Sequence, residues 1–547
     1  MRLARMGASH QTRLSFMRSL VRRMAKENWS FERLRFDVDA DGYGTSVYAV
    51  HAPERTLSLI AFTRALEPDQ RTDRVIAEAW DATFNLFDGI PSDADLARLA
   101  GNTPKQEAGR YTANELSLAR ANKSLRTFEH VVDALAAGRQ PNIDFLADVG
   151  YLMRTTAVYG SGKFGCADRE RIAERPETRG AFQAEMLEVY LIRWFTIDLV
   201  EHVAQSRGGS KAVTLNSAIK RFMGVGNSTG LGMAPFLAKY PVLVNNWVMA
   251  RETALARVRN LNAATSEQYN ELRHLIERLR RHLDEWSVDD ETQEHRIVTL
   301  RSEMADFERH LSNADVLSGE RPWDALYLIA EDGYSLEGQE LIVSLLLEPH
   351  GKLVDDLAET MYSDHTGRLE PSMTVADLRA SIQNRYVWAL ARDYDIPEEQ
   401  QYFWYYSEDK LEPRLGDRYT EPGAELEMPL AFGRDIAALE NELANVIPST
   451  SVAVFLLAHP EFRHLVRRVQ MTEHFPYGEI HDSLIASNVR PIDLLRFKLA
   501  FFGASKFDPK SDLWTRITMF QGAPMPDELD QAKADDWAFP VKPMVTS

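Results

Sequence analysis

The sequence predicts a mainly α protein of the α+β class: a small N-terminal antiparallel β meander on a multi-domain helical body with a coiled-coil-like hairpin. Three observations carry this. Alternation of apolar and charged residues, the mark of a half-buried strand, is concentrated near the N-terminus. From about residue 112 the chain reads as mostly helical. Two heptad seams lie end to end between residues 254 and 312. At 547 residues the chain exceeds the usual size of one domain. The expected units are 1–27, 28–105, 106–253, 254–312 and 313–547.

Residues 1–27 form a basic helix, patterned over 11–27, that lies on the surface and leads into the first strand in the plainer reading, or serves as a targeting or membrane-surface helix in the other. It has no continuous apolar core and no small-residue cleavage site, which argues against a secretory signal. In 28–105, Leu34, Phe36 and Val38 alternate with Arg33, Arg35 and Asp37, and Asp41-Gly42 signals a hairpin turn. Ser46–Ala52 and Thr56–Thr63 follow as strands around Pro53-Glu54-Arg55. Residues 71–87 return to a helical period, with Val75, Ala79, Trp80, Phe84 and Phe87 on one face.

The 106–253 unit carries helices over 113–137 and 180–205. The second is apolar nearly all round, which places it centrally in a bundle. Arg193 lies within that apolar run and needs a partner, a glutamate in the plainer reading or a ligand in the other. In 254–312, Leu272, Ile276, Leu279, Leu283 and Trp286 form one seam; Ile297, Leu300, Met304, Phe307 and Leu311 form the next. The polar stretch Ser287–Glu294 between them predicts an antiparallel hairpin, either lying along the body or projecting to dimerise. The 313–547 unit is mainly helical, over 337–348, 374–394, 433–446 and 450–469. Its aromatic segment Tyr402–Tyr419 crosses a neighbour or a cavity, and its Pro-rich acidic tail wraps the surface.

Composition narrows the function. With 63 basic against 81 acidic residues the net charge is −18, which argues against nucleic acid or an anionic membrane as partner. No apolar run is long enough to span a bilayer. One cysteine excludes an intrachain disulfide and a cysteine-only metal site, and fits the cytoplasm.

The densest set of anion-seeking groups is RTTAVYGSGKFGCAD, Arg154–Asp168. Arg154, Thr155, Thr156, Gly160, Ser161, Gly162 and Lys163 offer a guanidinium, hydroxyls, bare N–H groups and an ammonium to one oxyanion. It is neither a Walker A loop nor a dinucleotide fingerprint, so no cofactor is specified. A second glycine-rich loop, Gly224–Gly232, carries Asn227, Ser228 and Thr229. Ser228 or Thr229 is placed to cap a following helix whose N-terminus favours an anion. Asn245-Asn246-Trp247 can add amide contacts.

Tyr159 can move a proton, and His202 can act as base, oriented by Asp198 at i, i+4; a surface ion pair is the plainer reading of that spacing. Cys166 is a candidate nucleophile or a small apolar filler. Lys506, Lys510 and Arg516 form a second anion patch or a solvated face. His474, Glu479, His481 and Asp482 carry ligand residue types without a metal spacing, so no metal is expected.

These readings converge on a cytoplasmic, soluble, homo-oligomeric enzyme of unspecified reaction. It holds a phosphate- or carboxylate-bearing small molecule between loops 154–168 and 224–232. The alternative is a non-catalytic assembly protein that associates through the 254–312 hairpin. A nucleotide-dependent ligase or transferase is weaker, because no acidic pair for magnesium lies near either loop.

Overall fold

In the computed structural model the described residues are 5, 10–66, 80–103, 112–155, 175, 177–178, 182–230, 241–312, 319–361, 368–396, 432–478, 493–511 and 514–544. Strands β1 (Ser30–Val38), β2 (Gly44–His51) and β3 (Thr56–Thr63) form where turn and alternation place them. Gly42 takes a φ of 88° in the turn between the first two.

The sheet does not stop there. It continues through β4 (Ala82–Asp88), β5 (Glu115–Lys123), β6 (Tyr151–Thr155), β7 (Gly224–Gly230), β8 (Asp508–Ser511) and β9 (Trp514–Met519). The order is β1-β2-β3-β4-β5-β6-β7-β9-β8, antiparallel throughout except for the parallel pair β6–β7. The predicted fold class is therefore corrected: this is one large mixed sheet with helices packed on it, not a small N-terminal meander on a helical body. Its strands come from three of the expected units, 28–105, 106–253 and 313–547.

The reasons are local. β4 is buried from Ala82 to Phe87, so its two faces do not alternate in polarity. Trp80, Phe84 and Phe87 fit a helical period by coincidence of spacing, and the helix read over 71–87 fails at its second half; residues 71–79 lie outside the described residues. The helix read over 113–137 is β5 followed by a helix. The glycine-rich loop at 224 is itself a strand, made of residues with low strand preference.

The helices packed on this sheet begin with α1 (Phe16–Lys26), α2 (Asp93–Ala100), α3 (Leu125–Ala136), α4 (Ile143–Ala147) and α5 (Gln183–Gly208). The apolar surface of α5 is spent against the sheet on one side and against α1 and α3 on the others. On the opposite face, α2 covers Val47, Ile60, Phe62 and Phe87 with Leu96 and Leu99.

The basic N-terminal helix is not on the surface. Phe16, Met17, Leu20, Val21 and Met24 are fully buried, and Phe16 stacks edge-on against Phe501 at 4.4 Å. Its charge is neutralised internally. Arg13 donates to Asp355 at 2.8 and 2.7 Å and to Glu348 at 3.1 Å; Arg18 donates to the same Glu348 at 2.9 Å.

Arg193 takes neither predicted partner. It donates to the carbonyls of Met223 (2.7 Å), Lys220 (3.0 Å), Arg221 (2.9 Å), Ala523 (2.8 Å) and Pro524 (3.3 Å). Two of these belong to the last turn of α6 (Ser217–Phe222), whose carbonyls have no partner within the helix. The guanidinium thereby holds the entry to β7 against the C-terminal segment.

Beyond α7 (Pro241–Arg259), the hairpin is α8 (Ser266–Asp284) and α9 (Glu291–Leu311). Both seams are buried, and the hairpin lies along the body against α10 (Pro322–Gly333) and α11 (Leu336–Leu347). The tail, expected to wrap the surface, threads into the core: Trp537, Ala538 and Phe539 are buried, and Pro540 accepts from His282 Nδ1 at 2.7 Å. A separate apolar core joins Val375–Arg385, Phe432–Ala444, Val452–Ala458 and Arg463–His474. Among the described residues no helix is long and apolar enough to cross a membrane.

Candidate functional site

Of the first glycine-bearing stretch only Arg154 and Thr155 are among the described residues, and they lie on β6, the neighbour of β7. β6 pairs with β7 through Tyr151 opposite Gly224 and Arg154 opposite Gly226. Three steps on β6 match two on β7, and this extra residue turns Tyr151 and Arg154 to the same face of the sheet. On β9, Thr518 lies opposite Gly226 and Arg516 opposite Ser228, on that same face. Gly226 is required here: a Cβ on it would sit 2.6 Å from the ring of Tyr151. Gly226 thus seats an aromatic ring. Gly226→Ala is expected to lose about 1–3 kcal/mol of stability by forcing that ring out of place, read by chemical denaturation.

Over this face lies a cleft of about 550 Å³. Among the described residues, its walls carry Lys123, Arg126, Arg154 and Arg516 against a single carboxylate, Asp148. Ser124 to Thr127 line it too, which brings the positive end of α3 to the same space. Asn122 stands opposite Arg154 across β5–β6. Burial pushes the Tyr151 hydroxyl up, and Arg516 and Arg154 partly offset that.

A second cavity of about 630 Å³ shares Asp148, Val149 and Arg516 with the first, so the two adjoin along these residues as two halves of a groove. Its cations are mostly paired. Arg516 meets Asp508 at 2.9 and 2.7 Å, Lys510 meets Asp289 and Asp508 at 3.0 Å each, and Lys542 meets Asp144 at 2.8 Å. The second anion patch read at Lys506, Lys510 and Arg516 is a wall of this groove.

The other predicted site residues divide. Arg154 is at the cleft. Thr155 is buried, and its carbonyl accepts from Asn227 Nδ2 at 2.7 Å, so both serve as a tie between β6 and β7. Ser228 and Thr229 lie within β7, and the stretch 231–240 that follows lies outside the described residues. Thr156, Tyr159, Gly160, Ser161, Gly162, Lys163 and Cys166 lie outside the described residues, as do Glu479, His481 and Asp482.

His202 is not at this cleft. Its Nε2 meets Asp39 O at 2.8 Å and its ring packs on Phe36 in β1, five strand spacings or about 24 Å from β6. Asp198 accepts from Tyr48 and Arg33, both at 3.0 Å, rather than orienting His202. His474 pairs with Glu370 at 2.9 Å. Asn245 accepts from Tyr477 N–H, and Trp247 donates to Leu14 O, so neither adds to the cleft. Among the described residues no group of three or more metal-ligating side chains gathers. Sequence reasoning missed Lys123, Arg126 and Tyr151; the first two flank the strand-to-helix junction hidden by reading 113–137 as one helix.

On the other face of the sheet, Glu188 of α5 is fully buried and accepts from Ser117 Oγ at 2.5 Å. Burial pushes its carboxyl from 4.5 up to about 8; the Ser117 bond works against this and nearby Glu185 with it. Between those values the native state holds a proton that the unfolded chain has lost, so stability falls as pH rises through this window. Glu188→Gln is expected to remove the decline and to gain at least about 1 kcal/mol above pH 8. Urea melts at about pH 5 and pH 9 read this directly.

No protein family, no curated protein and no solved structure matches this chain.

Proposed function

We propose that the chain is an enzyme that holds a phosphate- or carboxylate-bearing small molecule in the cleft over β6, β7 and β9. One observation carries the reading: among the described residues, four cationic side chains and one carboxylate line a cavity of about 550 Å³, in a protein of net charge −18. Cations gathered in a concave site amid acidic surroundings favour an anion locally. The volume suits a small molecule. Guanidinium groups at Arg126, Arg154 and Arg516 suit the paired oxygens of carboxylate or phosphate. The acidic balance supports a small molecule over nucleic acid as partner. The assembly alternative loses its motive, because the seams of the 254–312 hairpin are buried within the chain itself.

Titration with pyrophosphate tests the proposal. Arg126 is exposed at the cleft rim, and Arg154 is half-buried on β6. Arg126→Ala with Arg154→Ala is expected to weaken binding by at least about tenfold, or 1.4 kcal/mol. The melting temperature should shift by no more than about 3 °C. Equal binding by the wild type and the double variant would remove the cleft from the account.

A further inference from the structure

Among the described residues, one cation of the second cavity, Lys506, makes no direct ion pair. Among the described residues, Lys510, Lys542 and Arg516 all make ion pairs in the second cavity, while the Lys506 ammonium makes no hydrogen bond or ion pair. Its backbone is fixed on both sides. Ser505 Oγ donates to Gln521 Oε1 at 2.6 Å, and Phe507 is fully buried. The side chain is half-buried and lines the cavity next to Arg516, the residue shared with the cationic cleft.

The groups facing Lys506 are Glu285 and His282 of α8, Lys542 of the tail, Asp508 of β8, and Asp148. Burial lowers the ammonium pKa; Glu285 opposes, Lys542 adds to the lowering, and Asp508 and Asp148 oppose. The net direction is down, which enriches the neutral amine. A lysine of this kind, held in a cavity and kept from pairing, is suited to nucleophilic attack on a carbonyl.

We propose that Lys506 is the reactive amine of this groove and condenses with the carbonyl of an aldehyde or 2-oxo acid whose anionic group sits among Arg154, Arg516 and Lys123. The inference rests on the anion-binding reading above for the placement of the ligand. The lone pair of Nζ attacks the carbonyl carbon while the C–O π pair moves to oxygen, giving a carbinolamine. The C–O bond then breaks, both amine hydrogens leave with that oxygen as one water, and a C=N bond joins the lysine to the ligand. No oxidant or reductant is consumed.

The test uses the full chain with two probes, pyridoxal 5′-phosphate as a phosphorylated aldehyde and pyruvate as a 2-oxo acid. Each is trapped by borohydride, which reduces the C=N bond, and the labelled lysine is located by peptide mass. Lys506 is expected to be labelled at least about tenfold faster than any other lysine. Its labelling should rise at a pH below the ordinary lysine range, and inorganic phosphate should protect it. Lys506→Arg should lose the label and Lys510→Arg should keep it; the mapping on wild type stands even if a variant fails to fold. Which probe labels faster distinguishes a phosphorylated from a carboxylated ligand. Labels spread evenly over lysines, or none on Lys506 while pyrophosphate still binds, would overturn the inference and leave the anion site standing. Selective labelling of Lys506 without protection by phosphate would support the amine and overturn the anion site.

Discussion

Replacing Arg193 by leucine is expected to cost about 3–5 kcal/mol of folding stability, enough to take a large share of the total. The side chain is 1% exposed, and five carbonyls converge on it from the end of α6, from Met223 and from Ala523-Pro524. Leucine fills comparable volume but takes the guanidinium donor from the Met223, Lys220 and Ala523 carbonyls, while Pro524 keeps the Tyr190 hydroxyl and Arg221 keeps Gly522 N–H; the loss is about 1–3 kcal/mol for each carbonyl that finds no substitute. Arg193→Lys should fall between, because an ammonium carries three donors on a point charge and cannot span the planar fork. Denaturant titration measures both. A loss below about 1 kcal/mol for the leucine variant would mean the carbonyls find other partners.

Glu348→Ala is expected to have a similar effect by a different route. Glu348 is buried between Arg13 and Arg18, which are 2% and 0% exposed; its removal strands the Arg18 guanidinium in the core, while Arg13 keeps Asp355 and Asp535. Breaking such a site costs about 3–5 kcal/mol. Burial by itself pushes the Glu348 carboxyl up; Arg18 and Arg13 more than reverse this, and it ends below the usual carboxylate range. The stabilisation is therefore present above the unfolded-chain value of 4.5 and is lost as pH falls through the depressed native value. The difference between wild type and variant should be full at neutral pH and shrink in acid. A difference that stays constant into strong acid would show that packing, not charge, is what the substitution removed.

The sequence made the start of the sheet readable and hid its middle. β1 stands at the sheet edge, so its exposed and covered residues differ in polarity, and the Asp41-Gly42 turn fixes its pairing with β2. β4 is covered on both sides, β5 carries small residues such as Ala119 and Ala121, and β7 is nearly half glycine, so none shows the period of a half-buried strand. The basic helix α1 misled for a related reason: its carboxylate partners at 348, 355 and 535 lie hundreds of positions away. At the site, Arg154 was legible as a cation. The role of Gly226 was not, because the ring it accommodates, Tyr151, lies on a strand far away in the sequence. Arg516 was visible as a cation, but its position beside Arg154 depends on β9 joining β7.

The most direct test of the cationic cleft is a crystal structure of the protein soaked in tungstate, an electron-dense phosphate analogue. The account predicts a peak between Arg154 and Arg516, within hydrogen-bonding reach of Lys123 or of the first turn of α3. Tungstate bound elsewhere on the surface, with the cleft empty at saturating concentration, would contradict it.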